Sequence, residues 1–123
     1  MLDSVSSFRH PIISLQAVQL MLADMAIDVE AARLLVYAAA RTIDSGARNF
    51  TEEAAMAKVF ASNTAMKVTT NAVQIFGGAG YMRNYPVEKM MRGAKITQIY
   101  EGSNEALRTA IAFELRKRKA RRQ

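Results

Sequence analysis

Apolar residues in the first half of the chain recur at alternating intervals of three and four. They fall at Leu15, Val18, Leu22, Met25, Val29, Ala32, Val36, Ala39 and Ile43, the spacing of one face of an α-helix. The run would make a helix of roughly 45 Å. Ser14 stands where a cap is needed at its start, and Gly46 follows Ser45 as a natural stop. Small residues at Ala32 and Ala39 permit close helix approach. Residues 1–13 carry no such pattern, and Pro11 breaks them.

A second run starts at Thr51, with Glu52 and Glu53 in the first turn, where the helix dipole favours acids. Ala55, Val59, Ser62, Met66, Thr69, Val73 and Phe76 repeat the spacing, and Met56 and Phe60 widen the stripe. The run ends at Gly77-Gly78-Ala79-Gly80. Pro86 suits the first position of a third, short helix reaching about Ile96, with Glu88 in its first turn. Ser103 can cap a fourth, whose apolar face is Leu107, Ala110, Ile111 and Leu115. No useful stretch alternates with period two, so no sheet is expected.

The fold class is therefore all-α, an up-down four-helix bundle over residues 14–118. An irregular segment, 1–13, precedes it and a basic tail, 119–123, follows. The stripes on the two long helices hold more apolar surface than one bundle needs, which points to a helix–helix oligomer interface.

Composition narrows the chemistry. The 123 residues fit one domain with a core of its own. There is no Cys and only one His, His10, so disulfides, thiolate zinc sites, Cys nucleophiles and His-based triads are excluded, and no metal site is expected. The longest uncharged apolar run, Leu34 to Ala40, is far short of a membrane span. The first residues lack the basic start and apolar middle of a signal peptide, so a soluble, cytoplasmic protein is expected. Six of the 17 Lys and Arg lie in residues 115–123, and the remaining 11 balance the 11 acids. The net charge of +6 thus belongs to the tail, where helix C-termini favour cations. No aromatic residue interleaves it for base stacking, so no nucleic-acid partner is expected.

Two stretches carry candidate chemistry. Gln98-Ile-Tyr-Glu-Gly-Ser-Asn104 sets Glu101 where helical patterning lapses. Glu101 is either a solvated loop residue or a carboxylate aimed into a cleft. The glycine cluster at 77–80 follows a helix and lacks Lys-Ser/Thr, unlike a dinucleotide fingerprint or a P-loop. It is either a C-cap with positive φ or a place where backbone approaches a flat cofactor closely.

One ordered series connects these stretches. Gln74-Ile-Phe-Gly-Gly78, Gly80-Tyr-Met82, Tyr85-Pro-Val-Glu-Lys89, Met91-Arg92, Ala94-Lys95 and Ile99-Tyr-Glu-Gly-Ser-Asn-Glu105 closely resemble the C-terminal helical domain of acyl-CoA dehydrogenases. The likeness covers roughly Phe8 to Leu115.

The resemblance implies a family that oxidises acyl-CoA thioesters to trans-2-enoyl-CoA with FAD, usually as tetramers. It implies an N-terminal helical and a middle β domain beyond this bundle, and electron-transferring flavoprotein as the acceptor. By this likeness Glu101 is the catalytic base that removes the pro-R α-proton, and Gly102 lies against the substrate. The enolate oxygen would be met by the glutamate's own main-chain N–H and a flavin ribityl hydroxyl. Gln74, Ile75, Phe76, Gly77 and Gly78 match a segment at the adenosine end of a neighbouring subunit's FAD. Ser103, Asn104 and Glu105 match a segment beside the same subunit's cofactor. Ser7 and Gln16 fall near FAD. The family's usual Arg is Val5 here, the Gly after its Phe is Arg9, and the Asp after Met-Arg is Gly93. Without the other domains, the chain by itself is expected to be inactive. The alternative is a non-catalytic helical oligomerisation module derived from this domain.

Overall fold

The computed structural model describes residues 6–7 and 10–123, with Ser6, Ser7 and His10 described by backbone alone. Two long helices, α1 (Gln16–Asp44) and α2 (Thr51–Phe76), are followed by a single turn, α3 (Gly78–Tyr81), then α4 (Val87–Thr97) and α5 (Asn104–Arg121). Helix α2 is the hub, and α1, α4 and α5 each pack against it. The fold is the all-α bundle expected from the periodicity.

Three local features differ from expectation. A minimal antiparallel pair, β1 (Ser6–Ser7) and β2 (His10–Pro11), sets Ser6 opposite Pro11 and Ser7 opposite His10. Two-residue strands are too short to leave an alternating pattern. Ser14 does not cap α1. It closes a 3₁₀ turn at Ile12–Ser14, its hydroxyl donating to the Pro11 carbonyl at 2.7 Å, and Leu15 enters α1 without a side-chain cap. The turn α3 had no signal of its own, because Gly77 reads as a stop. The backbone leaves the helical region there (φ 63°, ψ −145°) and re-enters it one residue later.

The covered face of α1 is rotated from its apolar stripe. Val18, Leu22, Met25, Ala32 and Ala39 are covered, but Leu15, Val29, Val36 and Ile43 are exposed, with Asp28, Leu35 and Thr42 covered instead. A stripe averaging 3.5 residues drifts about 20° per heptad on a straight helix, so α2 tracks a neighbouring line. Asp28 on that line meets the Lys67 ammonium at 2.9 Å, which raises the lysine's pKa chiefly through that hydrogen bond.

Small side chains let the helices close on α2. Among the described residues the buried apolar ones are Ala32, Ala39, Ala55, Ala57, Ile75, Phe76, Val87 and Ala94, and no large side chain is fully enclosed. The Phe76 ring meets Tyr85 with centroids 5.4 Å apart. Pro86 is the residue before α4 rather than its first. Gly93 has ordinary helical backbone and open space around it. Ser103 caps α5 as expected, accepting from the Ala106 N–H at 3.3 Å. The basic residues continue that helix to Arg121, with Leu115 exposed and Glu114 and Lys117 partly covered. No helix among the described residues is long and apolar enough to cross a membrane.

Candidate active site

Between α4 and α5 the chain reverses on two successive left-handed residues. Glu101 has φ 53° and is the only non-glycine with positive φ among the described residues; Gly102 has φ 88°. Glycine adopts that conformation freely, whereas for a carboxylate side chain it costs about 1–2 kcal/mol. Surrounding bonds must hold it.

Those bonds converge from α2. The Lys58 ammonium donates to the Gly102 carbonyl at 2.9 Å and to Asn104 Oδ1 at 2.7 Å. The Asn104 amide, on a side chain buried at the start of α5, donates to Ser62 Oγ at 2.8 Å and to Asn63 Oδ1 at 2.9 Å. Gln98 Nε2 also donates to Asn63 Oδ1, at 2.9 Å. The Asn104 N–H closes the turn on the Gln98 carbonyl at 3.0 Å. Both ends of the turn are thereby fastened to each other and to α2.

Glu101 itself is left free. Among the described residues neither its N–H nor its carboxylate takes part in a hydrogen bond, and its side chain is exposed. It borders a cavity of about 310 Å³ whose wall is largely apolar, with Phe50, Ala54, Ala55 and Leu107, and which Lys58 also lines. Tyr100 borders a second cavity of about 220 Å³ on the other side of Lys58, with Ala61, Ala65 and Thr97. A carboxylate and a main-chain donor thus stand unsatisfied on one turn, beside apolar walls. That pair can accept a proton and hydrogen-bond a developing oxyanion.

The other expected residues divide into two groups. Ser103 and Asn104 are structural members of the turn, and Glu105 is exposed with Arg108 4.0 Å away. Gln74 to Gly78 lie at the far end of α2, about 24 Å of helix from Lys58 at 1.5 Å per residue. There Ile75 and Phe76 are buried, while Gln74, Gly77 and Gly78 are exposed. Gln16 is the exposed first residue of α1. The side chain of Ser7 lies outside the described residues, as do Val5 and Arg9. No metal-ligand cluster occurs among the described residues.

Sequence reasoning missed Lys58 and Asn63, gave Gln98 only as the start of its stretch, and took Ser62 for part of an apolar stripe. A signal was present. Lys58 falls between Ala55 and Ser62 on the face read as core, where a lysine needs a partner.

The chain as a whole matches a known domain family. The profile of the acyl-CoA dehydrogenase C-terminal domain covers residues 2–115. The chain is 51% identical over 114 residues to cyclohexane-1-carbonyl-CoA dehydrogenase of Geobacter metallireducens, covering 93% of this chain and 30% of that protein. It superposes with a TM-score of 0.89 on butyryl-CoA dehydrogenase of Megasphaera elsdenii, at 49% identity, over 93% of this chain and 30% of that one. A chain in the structure of the electron transferring flavoprotein of Acidaminococcus fermentans, described with flavin-based electron bifurcation, gives 0.89 and 53%, with the same coverage. The chain belongs to the acyl-CoA dehydrogenase C-terminal domain family. It spans less than a third of the length of the relatives it matches.

Proposed function

We propose that this chain is the catalytic-base domain of a FAD-dependent acyl-CoA dehydrogenase, with Glu101 removing the α-proton of an acyl-CoA thioester. The observation that carries the reading is the turn itself. It holds a carboxylate outside any helix ladder, in a conformation anchored from three side chains, with carboxylate and N–H both unspent.

A thioester α-proton is only weakly acidic, so its removal needs a base and a donor to the forming enolate oxygen. Glu101 supplies the base. Its own N–H is the donor on the same residue, and Gly102 leaves the substrate side of the turn without a side chain. Dehydrogenation also removes a hydride from the β-carbon, which FAD accepts when bound. The chain's residues fit that cofactor at two places. Gly77 and Gly78 are exposed backbone with nothing within 4 Å of an added Cβ, a surface that a flat ring system can approach. Ser103 and the exposed Glu105 would lie along it at the other place, beside Glu101, with the buried Asn104 between them seating that segment on α2. The distance between the two along α2 is consistent with their serving FAD molecules of different subunits in a homo-oligomer. Glu101 is exposed in this chain, so exclusion of water from the base is assigned to the N-terminal and middle domains and the substrate. Reduced flavin would pass electrons to an electron-transferring flavoprotein.

The test is reconstitution of this chain with N-terminal and middle domains of a relative, FAD and an acyl-CoA. Wild type should bleach the flavin. Glu101→Gln should slow bleaching by at least about 100-fold, the scale of a lost general base, with FAD affinity kept. Equal bleaching rates would remove Glu101 from the role.

The exposed apolar surface of α1 favours a second reading, a helical oligomerisation module without catalysis. It requires a stable oligomer with no affinity for FAD in the same reconstitution.

A further inference from the structure

The reaction just proposed needs two groups of Glu101, yet no hydrogen bond among the described residues touches Glu101 itself. Its direction is set through its neighbours. We propose that Lys58 is the positioning residue of this turn, holding the peptide units around Glu101 so that carboxylate and N–H face the same substrate. The proposal rests on the reading of Glu101 as the base.

The contacts single Lys58 out. Its ammonium has three donors, and two of them go to one turn far along the chain, to the Gly102 carbonyl and Asn104 Oδ1. Asn104 is gripped from both sides, its oxygen by Lys58 and its amide by Ser62 and Asn63. Those latter bonds seat the first residue of α5 and stop there. Among the described residues only Lys58 hydrogen-bonds to Gly102, the residue next to Glu101. It fixes the carbonyl of Gly102, and with it the left-handed pair at 101 and 102.

The root of Lys58 is firm. It sits on α2, the helix to which the others are packed, and its carbonyl receives the Ser62 hydroxyl at 2.7 Å. A flexible lysine stem clamped at both ends can transmit that rigidity to the turn. The seat of Asn104 on α2 can stay intact without it, because its side-chain amide retains Ser62 and Asn63. Removing the ammonium should therefore loosen the turn locally rather than unfold the bundle.

Lys58→Met keeps the stem and deletes the donors. Lys67→Met, which removes another α2 lysine whose partner is Asp28 on α1, is the control. Lys58→Arg restores donors. In the chain itself, the Asn104 amide that closes the turn should exchange with deuterium at least about 10-fold faster in Lys58→Met, while the middle of α2 and the Lys67→Met control stay unchanged. In the reconstituted assembly, kcat should fall by at least about 10-fold with KM altered less than about 3-fold, the signature of a group that matters in the transition state. Lys58→Arg should recover a large part of kcat.

Unchanged exchange at Asn104 would overturn the proposal, whatever the activity. Faster exchange with unchanged kcat would overturn the catalytic consequence. A wild-type assembly that reduces no flavin would instead remove the reading of Glu101 as base, and exchange alone would then decide whether Lys58 holds the turn.

Discussion

A buried glycine just past the end of α2 determines how closely α3 folds back. A Cβ at Gly80 would stand 2.5 Å from the Phe76 Cβ and 2.8 Å from the Val73 carbonyl oxygen, and neither of these can swing away. Gly80→Ala should destabilise the fold by about 1–3 kcal/mol, the cost of overpacking, read as a lower urea midpoint. Gly78→Ala, with open space at its Cβ, should leave the midpoint close to wild type. Equal effects would show that α3 shifts freely. The sequence reported these glycines as a cluster without telling them apart, because the difference lies in the neighbours folded against each. The break at Glu101 was legible for the opposite reason. Its Tyr-Glu-Gly-Ser-Asn context is local, and the local context dictates a break. Lys58 left only one sign, its place on the face read as core, and its partners were not legible, since its two acceptors lie 44 and 46 residues away.

At the scale of elements, charged contacts tie the helix ends. The amide of Asn49, before α2, donates to Glu114 on α5 at 3.1 Å, and Arg118 pairs with Glu52. On α4, Arg92 grips Glu88 at 2.8 Å. The Asn49 hydrogen bond, with Lys117 nearby, holds the Glu114 carboxyl below its ordinary pKa, and the Arg92 hydrogen bond does the same for Glu88. A carboxylate depressed in the folded state stabilises the fold above its unfolded pKa, and that contribution is lost as pH falls through the folded value. The stability advantage of wild type over the double variant Glu88→Gln/Glu114→Gln should thus be constant between about pH 6 and 9. It should shrink below about pH 4.3, the ordinary glutamate value. Urea midpoints across that range measure it, and an advantage that persists undiminished to about pH 2.5, below both carboxylates' ordinary range, would exclude these two groups. Helix identity and most boundaries were legible here because capping and periodicity are local. Which face of α1 is covered was not, because it depends on the line α2 follows.

For the whole molecule, alanines make up most of the buried apolar set, with Ile75, Phe76 and Val87 the larger members, while many large apolar side chains stay outside. Leu20, Ile27 and Leu34 on α1 are 60%, 65% and 56% exposed, with Tyr37 at 58% beside them. The three aliphatic residues are seven apart, so they follow a row that slants by about 20° per heptad along the helix, away from the covered face. Large aliphatic side chains exposed in a row mark an interaction surface; this line is not the stripe from Leu15 to Ile43 on which the sequence reading placed a helix–helix interface. We expect the 13.6 kDa chain to self-associate through this line. Sedimentation at tens of micromolar should give at least about twice the monomer mass, because burying large aliphatic side chains contributes about 1.5–3 kcal/mol each. Ile27→Glu with Leu34→Glu would place carboxylates in that interface and should yield a monomer with the same far-UV helicity, since both positions are exposed within the chain. A wild type already monomeric would show that this face is not where copies meet. The apolar line would then be left for another domain to cover, and the placement of two cofactor segments in different subunits would lose its support.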